Sequence, residues 1–338
     1  MKGSSRVVRL AFVGDVYVER DNEAAAAASM ERAERELRDQ FDLRCANLEA
    51  PLSDRGRLKR SFPWANLRAR PHNVGVVTGG GFDVVTIANN HMMDYGPDAL
   101  MDTVGLLVDR GVGYVGGGEN WDRAWGMEVR VIEGLRVGFL GIEATAWTWT
   151  EHDAGPAVPG VAALFVSPYF PDDVDGYRLE HALRVVERCH ATVDVLAVNI
   201  HWGHSVSHQV CTYQRIVGHK LIDHGADVII GHHPHTLQGV EVYRGRPIFH
   251  SLGNFLFDSF RLPPEAALVG CECTHAGIQR VWLRPTSQRD GYVHVYTAGD
   301  AEAASTIPLL LRLSEDLGTR LFVQDGRLEV SLERAPAS

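Results

Sequence analysis

Cysteine is scarce in this chain: five in 338 residues, at Cys45, Cys189, Cys211, Cys271 and Cys273. An odd count without paired spacing excludes a disulfide framework and points to a reducing compartment. Cys271 and Cys273 stand too close for a usual zinc knuckle and read as a strand or loop pair. Long apolar runs are also missing. Nothing approaches the ~20 apolar residues of a spanning helix. The opening MKGSSRVVRLAFVGD lacks the apolar stretch of a signal peptide. The expectation is a cytoplasmic protein with no membrane partner. Positive charge is in deficit, with 33 Lys and Arg against 43 Asp and Glu and a net charge of −10. That balance excludes a nucleic-acid backbone as the main partner. The basic stretch holding Arg55, Arg57, Lys59, Arg60, Arg68 and Arg70 reads as a solvated loop. Internal repeats, low-complexity tails and clear linkers are absent.

What is present is an alternation of strand-like and helix-like segments, the pattern of an α/β chain. VVRLAFVGD, DLRCANLEAPL, FDVVTIANN, VDVLAVNIHWG and ADVIIGHHPH are apolar, partly β-branched runs that end in polar residues. EAAAAASMERAERELRD predicts one helix. Pro97 predicts the start of another. Further helices are expected near 178–190 and over QRIVGHKLIDHG. Glu133-Gly134 and Arg244-Gly245 mark hairpin tips. The aromatic stretch from Trp147 to Tyr169 is the candidate for a mobile lid. The expectation is one domain over 1–338, with its motifs within 7–258 and further strands in 259–338.

The polar strand ends carry metal-competent groups: Asp15, then Asn47 and Glu49, then Asn90 and His91, then His201, then His232, His233 and His235. Parallel strands gather such ends at one sheet edge, where α/β proteins build sites. Carboxylate, amide oxygen and imidazole together suit Mn, Fe, Zn or similar ions, as one ion or a pair. Taken singly, most of these residues have ordinary readings as turns, edge hydrogen-bond pairs or packed rings. GHHPH (231–235) resists such a reading, because Pro234 restricts the residue before it and helps fix two imidazoles.

In this order, GD (Asp15), NLE (Asn47, Glu49), ANNH with DYG (Asn90, His91, Asp94), GGGEN (116–120), HWG (His201), GHHPH and SLGNF (251–255) resemble the CapA-type, poly-gamma-glutamate-capsule branch of the calcineurin-like metallophosphoesterases. The resemblance implies a four-layered α/β/β/α sandwich. It implies a divalent ion (Mn, Fe, Zn, Ca or Mg) held by Asp15, Glu49, Asn90, His201, His233 and His235. His91 would be the acid/base residue, and His232 would support the ligands. Tyr17 stands where the superfamily places a histidine, which weakens one of the two metal positions. His204, followed by His208, stands after HWG in place of an acidic residue. Relatives at the cell envelope carry a leader or anchor not seen here, so a cytosolic role is expected rather than one in capsule assembly.

Such a centre can direct water at a phosphoester or an amide. It can also stabilise an enolate while a base and an acid invert a Cα centre without an organic cofactor. Within the branch, the extra histidines and the apparent lack of an anchor resemble the lasso-peptide epimerase, which inverts a C-terminal tryptophan. That likeness implies a metal-dependent isomerase of RiPP biosynthesis acting on a ribosomal precursor peptide, with a precursor-recognition protein as a candidate partner. His91, His204 and His208 would be catalytic. Asn47, Tyr17, Trp147 and Trp149 would contact substrate. The alternatives are a metal-dependent hydrolase of a phosphoester or a gamma-glutamyl-type amide, and a non-catalytic, metal-stabilised peptide-binding protein.

Overall fold

A computed structural model describes residues 7–58, 66–145, 152–167, 174–258 and 263–333. The N-terminal part runs β1 (Val8–Tyr17), α1 (Glu23–Ala28), α2 (Glu31–Gln40), β2 (Leu43–Leu48), α3 (Gly75–Gly79), β3 (Val84–Thr86), α4 (Pro97–Asp109), β4 (Gly113–Val115), β5 (Gly117–Gly118) and α5 (Trp121–Ala124). The middle holds β6 (Glu128–Ile132), β7 (Leu135–Ala144), β8 (Gly160–Val161), α6 (Gly176–His190), β9 (Val195–Trp202), α7 (Thr212–Asp223), β10 (Val228–His232), β11 (Val240–Tyr243), β12 (Arg246–Phe249) and β13 (Asn254–Phe257). The chain closes with β14 (Ala266–Thr274), β15 (Gly277–Arg289), β16 (Tyr292–Val295), α8 (Thr306–Glu315), β17 (Leu321–Gln324) and β18 (Arg327–Val330).

The first sheet has the order β17-β18-β15-β14-β1-β2-β3-β4, and the second β11-β12-β10-β9-β7-β6. Side chains of β1 and β2 (Leu10, Phe12, Leu43, Cys45) meet those of β7, β9 and β10 (Val137, Phe139, Val195, Ile230) in one buried cluster between the sheets. Phe12 and Phe139 face each other across it, ring centroids 6.3 Å apart. The opposite face of the first sheet is covered by α1, α2, α3 and α4 through Ala26, Leu37, Val77 and Leu100. That of the second is covered by α6 and α7 through Val186, Val217 and Leu221. The layers are therefore α/β/β/α. Burial on both faces explains why the central strands read as continuous apolar runs.

β1, β2, β3 and β4 are mutually parallel, as are β7, β9 and β10. β1 serves two partners in turn: Val8–Phe12 pairs with β14, and Asp15–Tyr17 pairs with β13. The register slips near Gly14, a bulge that re-aims Asp15. A Cβ on Gly14 would stand 1.9 Å from the Gly253 carbonyl oxygen, so only glycine lets this close approach form.

Both expected hairpin tips are present. Glu133 and Gly134 have φ of 52° and 88°, and Arg244 and Gly245 have φ of 51° and 74°. Positive φ at both positions matches the twist of the paired strands. Pro97 opens α4 after Gly96. The single helix expected from Glu23 onward is instead two, because the Ser29 hydroxyl donates back to the Ala25 carbonyl and Met30 turns fully into the core. The lid expectation fails for residues 152–167. Ala154, Ala162, Leu164 and Val166 are buried against the second sheet, and β8 pairs with β5. Trp147 and Tyr169 lie outside the described residues. Cys271 and Cys273 are both buried on β14, and none of the five cysteines is in a disulfide. Among the described residues no helix is long and apolar enough to cross a membrane.

Candidate metal centre

Strand register builds the site as two rows. In the first sheet Asp15 aligns with Asn254 on one side and Asn47 on the other. In the second, His201 aligns with His232 and with Glu143. The sheets approach one another through β1 and β10, so carboxylates from one row face imidazoles from the other. Glu49 follows β2, Asn89, Asn90 and His91 lie beyond β3, and His233 and His235 follow β10.

His201 is the meeting point. Its Nε2 lies 2.8 Å from Asn90 Oδ1, 3.2 Å from His233 Nδ1 and 3.4 Å from Glu49 Oε1. One ring nitrogen carries at most one proton, so it cannot satisfy three such neighbours. Ligand atoms of Asp15, Glu49 and His201 lie within 4.8 Å of one another. Asp15 adds contacts to His232 Nδ1 at 3.2 Å and His235 Nδ1 at 3.4 Å, and its Oδ2 accepts the His233 backbone N–H at 3.3 Å. His235 Nδ1 also faces Asn254 Oδ1 at 2.9 Å. Glu49 Oε1, His201 Nδ1, His233 Nε2 and His232 Nε2 are buried without a hydrogen-bond partner among the described residues.

The electrostatics point the same way. Burial alone would raise the Asp15 carboxyl, but His232 and His235 hold it well below the usual carboxylate range. Burial, then the charge of Asp15, pushes Glu49 well above that range. Burial, followed by the neighbouring imidazole, keeps His201 and His233 well below the ordinary histidine value. Neutral imidazoles, an amide oxygen and carboxylates that cannot all ionise together make a donor set suited to a divalent cation. These residues fit such an ion: Asn90, His201, His233 and Glu49 form the tighter half, and Asp15 and His235 the looser half. His235 Nε2 is 4.0 Å from Glu49 Oε1.

The backbone of GHHPH differs from the proline argument. A residue before proline is expected to be extended, yet His233 has φ of 91° and His235 φ of 56°. Two non-glycine residues in left-handed backbone mark a constrained segment. Its backbone is pinned by Asp15 and by the Val206 N–H, which donates to the Pro234 carbonyl at 2.7 Å.

His91 lies beside the cluster and outside it. Its Nδ1 donates to Asp94 Oδ2 at 2.7 Å, and the Leu67 backbone N–H donates to the same oxygen at 2.8 Å. This fixes the tautomer and leaves Nε2 as the basic nitrogen. His204 is exposed. A charge on either His91 or His204 would lower the basicity of His233, so both stand within its electrostatic reach.

The chain matches the family described as bacterial capsule synthesis protein (PGA_cap) over residues 9–259. It belongs to that family. Among PGA_cap-type relatives, it is 27% identical to the PGA biosynthesis protein CapA of Bacillus subtilis (strain 168), over 98% of this chain and 84% of that protein. It is 32% identical to the capsule biosynthesis protein CapA of Bacillus anthracis, over 72% of this chain and 58% of that protein.

Within this PGA_cap chain three residues expected at the site make contacts that the sequence did not suggest. His208 Nδ1 lies 2.7 Å from the Leu237 carbonyl oxygen and 3.1 Å from the hydroxyl of Thr236, the residue after His235, which ties down the loop after β9. Asn47, expected to contact substrate, is turned to the carboxylates. Its amide donates to Asp15 Oδ1 at 2.8 Å and to Glu49, and its oxygen accepts from Asn89 at 3.1 Å, so it spaces the carboxylates. Tyr17 packs on Phe257 at 5.3 Å, and its hydroxyl donates to the Arg68 carbonyl at 3.5 Å. It supplies no imidazole to the cluster. Trp147 and Trp149 lie outside the described residues.

Sequence reasoning missed three residues. Asn89 accepts the backbone N–H groups of His91 and Met92 and donates to the Leu48 carbonyl. Asn254 orients His235. Glu143 is a buried carboxylate at the end of β7, its Oε1 accepting from Thr145 N–H at 2.8 Å, and its charge adds to the rise of Glu49. GIEA (141–144), an apolar strand ending in a carboxylate, carries the same signature as the others and could have exposed it.

Proposed function

We propose that this protein is a divalent-metal isomerase that inverts the Cα centre of a C-terminal residue, tryptophan in this reading, of a ribosomal peptide. The observation that carries it is the pair of histidines outside the ligand set. His91 follows β3 of the first sheet and His204 follows β9 of the second, and both are within electrostatic reach of His233. Hydrolysis needs one acid/base group at the leaving atom, whereas inversion needs one on each face of the carbon. A divalent ion held by Glu49, Asn90, His201, His233, Asp15 and His235 would supply positive charge to a substrate carboxylate or amide oxygen. His91 Nε2, left unprotonated by the tautomer that the Asp94 bond to Nδ1 fixes, takes the Cα proton. His204, exposed and able to exchange with solvent, returns a proton from the opposite face.

A second reading is cleavage at an amide of a glutamyl polymer, the substrate suggested by Bacillus relatives named for PGA and capsule biosynthesis. In that case His91 would protonate the departing amine. A third reading is a peptide-binding protein without turnover.

The test is mass analysis in heavy water. The Mn²⁺-loaded protein is incubated with a precursor peptide encoded beside its gene, and in parallel with oligo-γ-glutamate. One deuterium at Cα in an intact, inverted peptide is the expected result. A shortened product without label transfers the assignment to the hydrolase. An unchanged peptide and an unchanged oligomer leave the binding protein.

A further inference from the structure

A cavity of about 850 Å³ adjoins the metal centre. Arg20, Ala28, Asn254, Phe257, Asp258 and Tyr292 are among its walls. Two of these residues are shared with the centre. Asn254 hydrogen-bonds His235, and the Phe257 ring meets the His235 ring edge-on at 5.0 Å. The cavity is therefore one side chain away from a metal-ligating imidazole. Its volume lies at the upper end of the range for drug-sized ligands, ~300–1,000 Å³, and exceeds what a single amino acid needs.

The chemistry of the walls narrows the occupant. Arg20 is already engaged: it pairs with Asp258, its Nε donates to Ser29 Oγ at 3.0 Å, and its Nη2 donates to the Gly291 carbonyl at 3.3 Å. It offers no free cation to a polyanion or a phosphate. What remains is Phe257, Tyr292 (its ring already carrying the Arg32 guanidinium at 4.7 Å), Pro263 and Pro264, a small wall at Ala28, and a polar edge of Asn254, Gln288 and the Asp290 carboxylate, which disfavours a polyanion. This suits an uncharged stretch of extended peptide.

We infer that this cavity is a second binding site of the protein, holding the peptide residues that precede the one presented to the metal centre. The natural substrate is thus a chain several residues long, and its length is read here. The inference rests on the isomerase reading only for the C-terminal tryptophan of the probe.

The test is calorimetric binding to the Mn²⁺-loaded protein, with tryptophan-terminated peptides of two and eight residues, the upstream residues uncharged, and with an eight-residue γ-glutamate oligomer. The octapeptide should bind the wild type about tenfold more tightly than the dipeptide, the size of a modest apolar and hydrogen-bonded gain. Ala28→Trp, which fills the cavity away from the metal ligands, should abolish that advantage and leave dipeptide affinity unchanged. Should Ala28→Trp fail to fold by circular dichroism, Tyr292→Ala serves in its place. Equal wild-type affinity for the two lengths would overturn the inference. So would a folded variant that keeps the length advantage, or a γ-glutamate oligomer that binds as tightly as the octapeptide. Binding is read without turnover. An absence of deuterium uptake would therefore remove the isomerase and leave this site standing, whereas a lost length advantage would remove only this site.

Discussion

His201 Nε2 and His233 Nδ1 face each other at 3.2 Å inside the protein, with Asn90 Oδ1 and Glu49 Oε1 closing on the same nitrogen. Neutral imidazoles can share only one proton in that space, and protonating both would bury two like charges. A cation resolves the arrangement. His201→Ala and His233→Ala should each remove most of the metal measured by plasma mass spectrometry after dialysis against Mn²⁺. Tyr17→Phe should leave it unchanged, because the Tyr17 hydroxyl bonds the Arg68 carbonyl and Glu19, neither of them a candidate ligand. Metal at ~100 times its Kd should stabilise the wild type by about 2.7 kcal/mol, read as a rise in Tm that the histidine variants lack.

His91 and Asp94 should separate binding from chemistry. His91→Gln removes the basic nitrogen and should lower turnover by about 10²–10⁴-fold with metal content retained. Asp94→Asn loosens the tautomer and should shift the pH profile as well as lower turnover. His208→Gln should alter turnover little, since His208 braces a loop. A His208 variant as inactive as His91→Gln would reverse these assignments.

The fold has a second buried charge, outside the candidate ligand set. Glu241 accepts from His219, His250 and Arg215, at 2.8, 3.2 and 2.9 Å. Burial would raise its carboxyl, but His250 and Arg215 bring it down to about 2 from 4.5. The folded value lies below the unfolded one, so the stabilisation is full above 4.5 and is lost as pH falls toward 2. Glu241→Gln should cost about 3 kcal/mol at neutral pH, and urea melts at falling pH should show the gap to wild type closing across that window.

Phe139 tests the layer architecture. It is 1% exposed and meets Phe12 between the sheets. Phe139→Ala should destabilise the protein by about 3–5 kcal/mol in chemical denaturation, with metal stoichiometry unchanged in the folded fraction.

Strand ends were legible because a buried parallel strand must be apolar until it leaves the sheet, so Asp15, Asn47, Glu49, Asn90, His91, His201, His232, His233 and His235 stand out by position, and the choice of six candidate ligands among them came from the family resemblance. The hairpin tips were legible for a local reason, two residues at positive φ. The Ser29–Met30 break was hidden, because a side chain bonding back to its own helix leaves no trace in helix propensity. The roles of Asn47, Tyr17 and His208 were hidden as well. Each is decided by a partner far along the chain (Asn89, Arg68 and Leu237), and one sequence carries no pairing information. Glu143 was legible and passed over.

The most direct test of the metal centre is anomalous diffraction from crystals of the Mn²⁺-loaded protein, recorded on either side of the manganese absorption edge. The account predicts a peak enclosed by Glu49, Asn90, His201 and His233, whether or not a second appears beside Asp15 and His235. A fully loaded crystal with no anomalous density among those four residues would contradict it.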